Sequence, residues 1–213
     1  MSRKKSHTTR EKILSAACDV FVEKGFRDAT VAEICKRAGA NISAVNYYFG
    51  SKEALYQETW HHSFAESMKA HPQDGGVSAD APAEERLRGH LKALVERIAD
   101  ESTRDFFISQ MEVANPTGLL EEVMRLEFDP LRDKTLAVVR ELLGPDATER
   151  HVDFCETGII SMCIYPMMMR RVRLRHGATA IGPPVAFVDD LGAFADHVVA
   201  FALAGIAALR RQL

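Results

Sequence analysis

Residues 30–53, TVAEICKRAGANISAVNYYFGSKE, contain two short helical patterns on either side of a glycine, with a third helix start directly behind them. Thr30 is placed to cap a helix and Glu33 to reach back and complete a T-x-x-E capping box, with Val31, Ile34 and Cys35 on one apolar face. Gly39 stops that helix. Asn41 caps the next, in which Ile42, Val45 and Phe49 recur at helical spacing and turn inward, leaving Ser43, Asn46, Tyr47 and Tyr48 outward. Gly50 and Ser51 end this helix and cap another, so Lys52 stands at a helix N-terminus, where unpaired backbone N–H groups already favour phosphate. Two helices joined by a tight turn, the second with an apolar back and a hydroxylated, aromatic front, read as a helix-turn-helix suited to the major groove of duplex DNA. The same spacing occurs in compact helical subdomains that never meet DNA, and the pattern alone leaves that alternative open.

Upstream, T-x-x-E recurs from Thr8 to Glu11 and starts a helix that ends at Gly25; its face of Ile13, Ala16, Ala17, Val20 and Phe21 supplies a core for the motif. Downstream, a connecting helix over about 51–70 carries Ala54, Leu55, Trp60, Phe64 and Met68. His71 to Ala81, with Pro72, Gly75, Gly76, Ser78 and Asp80, is the clearest linker in the chain. From Pro82 onward the periodicity predicts helices at about 82–100, 102–114, 117–143, 146–175 and 188–211, with a kink or break near Asp129 before Pro130 and the same difficulty at Pro166. Gly177 to Pro184 is a loop. The fold class is therefore all-α: an N-terminal three-helix domain over residues 1–52, then a helical bundle over 53–213, with about nine helices in total.

The 213 residues carry a formal net charge of −3 and are 46% hydrophobic, an ordinary globular profile. The charge is unevenly spread. Residues 1–52 hold ten Lys and Arg against five Asp and Glu, an excess of five positive charges that leaves −8 on the remainder. A basic head on an acidic body suits a protein that meets a polyanion with one end, and the Arg3-Lys4-Lys5 arm can add backbone or minor-groove contacts. No apolar run reads as long enough to cross a bilayer and the polar N-terminus lacks a signal-peptide core, which places the protein in the cytoplasm with no membrane partner. Cys18, Cys35, Cys155 and Cys163 form no C-x-x-C pair and read as reduced core residues. His61-His62 and His151/Cys155 lack the further ligands of a metal site, so neither a metal nor a cofactor is expected.

No enzyme motif is found: G-x-S-x-G, a glycine-rich phosphate loop and H-E-x-x-H are all missing, and Glu121-Glu122 and Asp189-Asp190 suit solvated helix faces. Material for a pocket does exist. Arg104, Phe106, Phe107, Gln110 and Met111 fall in one helix and Met162, Tyr165, Met167, Met168 and Met169 in another, flexible thioethers and rings around a few polar tips. Phe107, Gln110, Met111, Met162, Tyr165 and Met169 are the side chains expected to share a cavity, Arg104 adding a charge; plain core packing gives the same pattern. The last helix carries Leu191, Phe194, Ala195, Val198, Phe201, Ala202, Gly205, Ile206 and Leu209 as a broad apolar stripe that something must cover.

Taken together, Arg10-Glu11-Lys12-Ile13-Leu14-x-Ala16-Ala17, Phe21-x-x-Lys24-Gly25-Phe26, Thr30-Val31-x-x-Ile34, Ala38-Gly39 and Tyr47-Tyr48-Phe49-Gly50-Ser51-Lys52-Glu53-Ala54-Leu55 resemble the N-terminal domain of TetR-family repressors over roughly the first quarter of the chain. Asn46 stands where many relatives have Tyr; Asn can pair with adenine, which makes operator choice a point of difference. More weakly, Phe107-Ile108-Ser109-Gln110 and Pro130-Leu131 are similar to the CecR-like subgroup. The resemblance implies a homodimer that holds a pseudo-palindromic operator through Thr30, Ser43, Asn46, Tyr47, Tyr48 and Lys52. It also implies a small-molecule effector among the C-terminal helices, repression as the default, and a four-helix dimer interface made by the last helix with the helix that carries Val152, Cys155, Ile159 and Ile160, although burial within one chain gives the same pattern. Two readings from other classes stand beside it: a constitutive DNA-binding module without a ligand switch, and a hydrolase on a helical scaffold.

Overall fold

The computed structural model describes residues 8–176 and 188–213, so Arg3, Lys4, Lys5 and the Gly177–Pro184 loop lie outside the described residues. Among the described residues every regular element is helical: α1 Thr9–Asp28, α2 Val31–Ala38, α3 Ile42–Phe49, α4 Lys52–Ala70, α5 Ala83–Ala99, α6 Asp105–Ala114, α7 Glu121–Leu143, α8 Glu149–His176 and α9 Leu191–Arg210. The chain forms two compact units, one of residues 1–67 with 102–126, the other of 68–101 with 127–213. The boundary falls within α4 and again within α7.

In the first unit local chemistry sets the helix ends. Thr8 caps α1 with the full capping box, Thr8 accepting from the Glu11 N–H while Glu11 accepts from the Thr8 N–H. Gly25 takes φ +72°, a conformation open to glycine, and breaks the regular helix one turn before Asp28. Thr30 caps α2 by accepting from the Glu33 N–H at 3.2 Å. The second half of that expected box is replaced: the Glu33 carboxylate accepts from Lys24 at 2.6 Å and Arg37 at 2.9 Å, since cations attract it more strongly than a backbone amide does. Asn41 caps α3 by accepting from Ala44 N–H at 2.8 Å, and Ser51 caps α4 by accepting from Ala54 N–H at 3.1 Å. The core joins Ile13, Ala17, Val20 and Phe21 of α1 to Ile34, Val45, Phe49, Leu55 and Trp60, all buried. A large side chain taken fully out of water contributes about 1.5–3 kcal/mol.

Ile42 does not turn inward as expected; it is 52% exposed, whereas Val45 and Phe49 are buried. Helical spacing fixes a side chain's direction around the axis but not how far along it the neighbouring helices extend, and Ile42 stands at the first helical position.

In the second unit α5 packs on α8 and α9, which also pack on each other. Residues 71–81 are a folded segment, unlike a linker. Gln73 donates to the Leu131 carbonyl at 2.6 Å, and a side chain at Gly75 would meet the Gly89 carbonyl oxygen of α5 at 2.7 Å. α7 continues through Pro130 and α8 through Pro166, so the break expected near Asp129 is not found; a proline removes one ladder bond, which packing along the rest of a long helix can outweigh. A second correction concerns α9, which by length and composition alone could cross a bilayer. Its Ala195, Val198, Val199, Ala202 and Ile206 are buried in the unit, and Asp196 pairs with Lys92 of α5 at 2.8 Å.

Candidate nucleic-acid interface

The eight residues of α3 are anchored from behind by Val45 and Phe49, with the Arg10 guanidinium 5.4 Å from the centre of the Phe49 ring. With successive residues about 100° apart, Ser43, Asn46 and Tyr47 share an arc of roughly 100°, and Tyr48 lies on its flank. All four are exposed, Tyr47 at 82% and Tyr48 at 39%, and the two tyrosine rings meet edge to face at 5.0 Å. The front therefore offers a hydroxyl, a carboxamide and two phenols, donors and acceptors of the kind that read base edges and phosphates. Thr30 is exposed at the α2 N-cap; its oxygen accepts from Glu33, which leaves its O–H as a donor. Lys52, at the start of α4, places Nζ 4.4 Å from the Phe26 ring centre and 3.5 Å from the Arg27 carbonyl oxygen.

The basic head is less basic than its composition. Arg37 makes a bidentate contact with Glu23 at 2.8 and 2.6 Å and also meets Glu33; Lys24 pairs with Glu33, and Arg10 with Glu58. The Lys24 ammonium, with Arg37, holds the Glu33 carboxyl below the usual carboxylate range, and the Glu23 and Glu33 carboxylates raise the Arg37 guanidinium above its ordinary value. Lys12, Lys36 and Lys52 have no carboxylate partner among the described residues. Lys12 and Lys36 are exposed cations that the motif does not mark, because simple periodicity does not separate a paired charge from an unpaired one.

The expected effector residues divide between the units. In the first, the Arg104 Nε donates to Asp19 at 2.7 Å, and the Met111 methyl lies 3.0 Å from where a Cβ on Gly25 would stand. Phe107 and Gln110 are half-buried on the same helix, α6. In the second, Met162 and Met169 are half-buried on α8, Tyr165 is exposed and Met167 fully buried. The same helix buries Glu156, 3.4 Å from Arg132, and Arg171. All four cysteines are buried thiols; burial pushes both Cys18 and Cys163 up to about 12, well away from a reactive thiolate.

A capped helix-turn-helix with a polar front, followed among the described residues by helices alone, defines a class: DNA-binding regulators with a helical second domain. A family model for bacterial regulatory proteins of the TetR family matches residues 13–59, and one for the C-terminal domain of the HTH-type transcriptional dual regulator CecR matches residues 83–206, more than half of the chain. The chain belongs to the TetR family of transcriptional regulators and carries a CecR-type C-terminal domain. It is similar to the HTH-type transcriptional dual regulator CecR of Shigella flexneri, 28% identical over 190 residues that make up 83% of each chain. Among solved structures, a TetR-like transcriptional regulator from Rhodococcus sp. RHA1 matches with a TM-score of 0.68 at 18% identity, over 96% of this chain and 99% of that one. The fatty acid degradation regulator FadR from Bacillus halodurans also matches at 0.68, with 17% identity, over 95% and 98%. At those identities the likeness shows the fold alone.

Proposed function

We propose that this regulator is a ligand-responsive repressor that occupies a pseudo-palindromic operator as a homodimer and leaves it when a small-molecule effector binds. By function the chain divides into a DNA-binding domain of residues 1–52 and an effector-binding and dimerisation domain of 53–213, with α4 as the covalent route between them. Thr30 and Lys52 hold phosphates, Tyr48 assists them from the flank, and Ser43, Asn46 and Tyr47 face the base edges. The observation that carries this reading is α3 itself, whose Val45 and Phe49 are buried while its four polar front residues stand in solvent. Val152, Cys155 and Ile159 of α8, expected at a dimer face, are buried within the chain, so the exposed apolar side chains supply that face instead, Phe154 and Tyr165 on α8 and Phe201 and Leu209 on α9. A protein of this kind works in the bacterial cytoplasm and performs no catalysis.

Phe107 and Gln110 of α6, with Arg104 beside Asp19 and Met111 beside Gly25, and Met162, Tyr165 and Met169 of α8 are the side chains assigned to the effector. An effector lowers operator affinity only as far as it prefers the arrangement that fits DNA poorly. The test is fluorescence anisotropy on DNA flanking the gene, repeated with a panel of apolar and amphipathic compounds. An active compound raises the melting temperature while releasing the DNA. DNA binding that no compound alters supports a constitutive module, and no binding to any duplex removes the reading.

A further inference from the structure

The turn between α6 and α7 is bonded to the DNA-binding helices more heavily than a connection requires. Glu112, buried near the end of α6, accepts four hydrogen bonds. Its Oε1 takes the Thr117 N–H and hydroxyl, both at 2.7 Å, and the Gly118 N–H at 3.1 Å; its Oε2 takes the Tyr56 phenol of α4 at 3.2 Å. Burial and the Glu112 charge push the Tyr56 phenol above its ordinary value, so it stays a donor. The Gln57 side chain donates to the Leu119 carbonyl at 2.7 Å, and the Arg27 guanidinium donates to the carbonyls of Asn115 at 3.4 Å and Pro116 at 3.0 Å.

Two routes lead from this turn to one ammonium. Along the first, Tyr56 packs on Phe26 with ring centres 5.0 Å apart, and Phe26 presents its ring to Lys52 Nζ at 4.4 Å. Along the second, Arg27, held by the turn through its guanidinium, offers its carbonyl oxygen to the same Nζ at a long 3.5 Å. We propose that the α6–α7 turn positions Lys52, seating its ammonium against Phe26 and the Arg27 carbonyl so that the remaining N–H points outward for a DNA phosphate. This rests on the reading of Lys52 as a phosphate contact. A lysine on a flexible four-carbon stem gains most from such a seat, because a side chain already ordered loses less freedom on binding. Arg27, Phe26, Tyr56 and Glu112 are then positioning residues that need not touch DNA.

The experiment measures anisotropy of the full-length protein on a labelled random-sequence duplex across a range of salt concentrations. Lys52→Ala weakens binding and lowers the salt slope by about one, the change that follows when one phosphate is no longer neutralised. Phe26→Leu, which leaves charge unchanged, weakens binding by about 2- to 10-fold and lowers the slope as well, which a purely structural change would not do. Arg27→Met acts in the same direction, and both have no further effect in the Lys52→Ala background. Tyr56→Phe, a milder change at the far end of the first route, gives a smaller loss of the same sign and serves if either of the others fails to fold. Should Lys52→Ala leave affinity and slope untouched, the phosphate role itself is wrong. If instead Lys52→Ala weakens binding but the seat variants have no effect, or act equally without the lysine, the phosphate role stands and the positioning role falls.

Discussion

Helices α3 and α9 each bury one face and leave the other in solvent, yet the exposed face of α3 and that of the C-terminal half of α9 differ in chemistry. On α3, past Ile42 at its first position, the outward residues are Ser43, Asn46, Tyr47 and Tyr48, every one with a hydrogen-bonding tip. On α9 they include Phe201, at 61% exposure, with Ala204, Gly205 and Leu209, which have none. Water competes with the first face for every hydrogen bond it makes, so DNA contacts proposed there are expected to be reversible, sensitive to salt and rich in information. Apolar area would drive the proposed association through the second, where small residues would let a partner helix come close. Phe154, 63% exposed, extends the same apolar chemistry onto α8.

The contrast breaks most readily at Phe201. Phe201→Asp sets an unpaired carboxylate in the proposed dimer face, and the dimer should weaken by at least about 100-fold, an expectation from the roughly 3–5 kcal/mol of an uncompensated buried charge. Light scattering at micromolar concentration should change from twice the chain mass to one, with operator binding abolished in parallel; a variant that stays dimeric removes α9 from the interface. Next in size is Asn46→Ala, worth about 1–3 kcal/mol on the cognate operator and little on random DNA. Equal losses on both would turn α3 into a non-specific contact. The caps sharpen the comparison further: Asn41→Ala and Asp190→Ala, at the starts of α3 and α9, should each cost about 1 kcal/mol in denaturant unfolding, but only Asn41→Ala should also weaken DNA binding. The smallest effect concerns Glu33, whose lowered carboxyl pKa contributes stability above the ordinary value of 4.5 that is lost as pH falls through the lowered one. Glu33→Gln should therefore destabilise slightly at neutral pH, less in high salt, and not at all in strong acid, as thermal melts across pH will report.

The parts legible in the sequence were those decided within a few residues. Thr8, Thr30, Asn41 and Ser51 cap helices as their spacing implies, because a cap is a bond across three positions. Glu33 departs from its expected bond for a reason that the interval cannot carry: Lys24, nine residues earlier in α1, is brought beside it by the fold. Ile42 fails similarly, since periodicity says nothing of where a neighbouring helix ends. Glu112 gave no signal at all, because its meaning lies in Tyr56, fifty-six positions away. The stripe on α9 was legible as apolar but not as two faces, Ala195, Val198, Ala202 and Ile206 packed inward while Phe201 and Leu209 face outward.

Gly75 and Gly76 look interchangeable in the sequence, yet a methyl group at Gly75 would press on the backbone of Gly89, whereas one at Gly76 would meet nothing within 4 Å. Gly89 faces the converse restriction, with the Asp74 carbonyl oxygen 2.3 Å from its own missing Cβ. The crossing works like a buttonhole: chain and helix pass at a distance that only two bare backbones allow. In evolutionary terms, positions 75 and 89 are locked as a pair. A larger residue at either cannot be rescued by trimming the other, which has nothing left to trim, so this corner of the protein can drift only by rebuilding the whole loop.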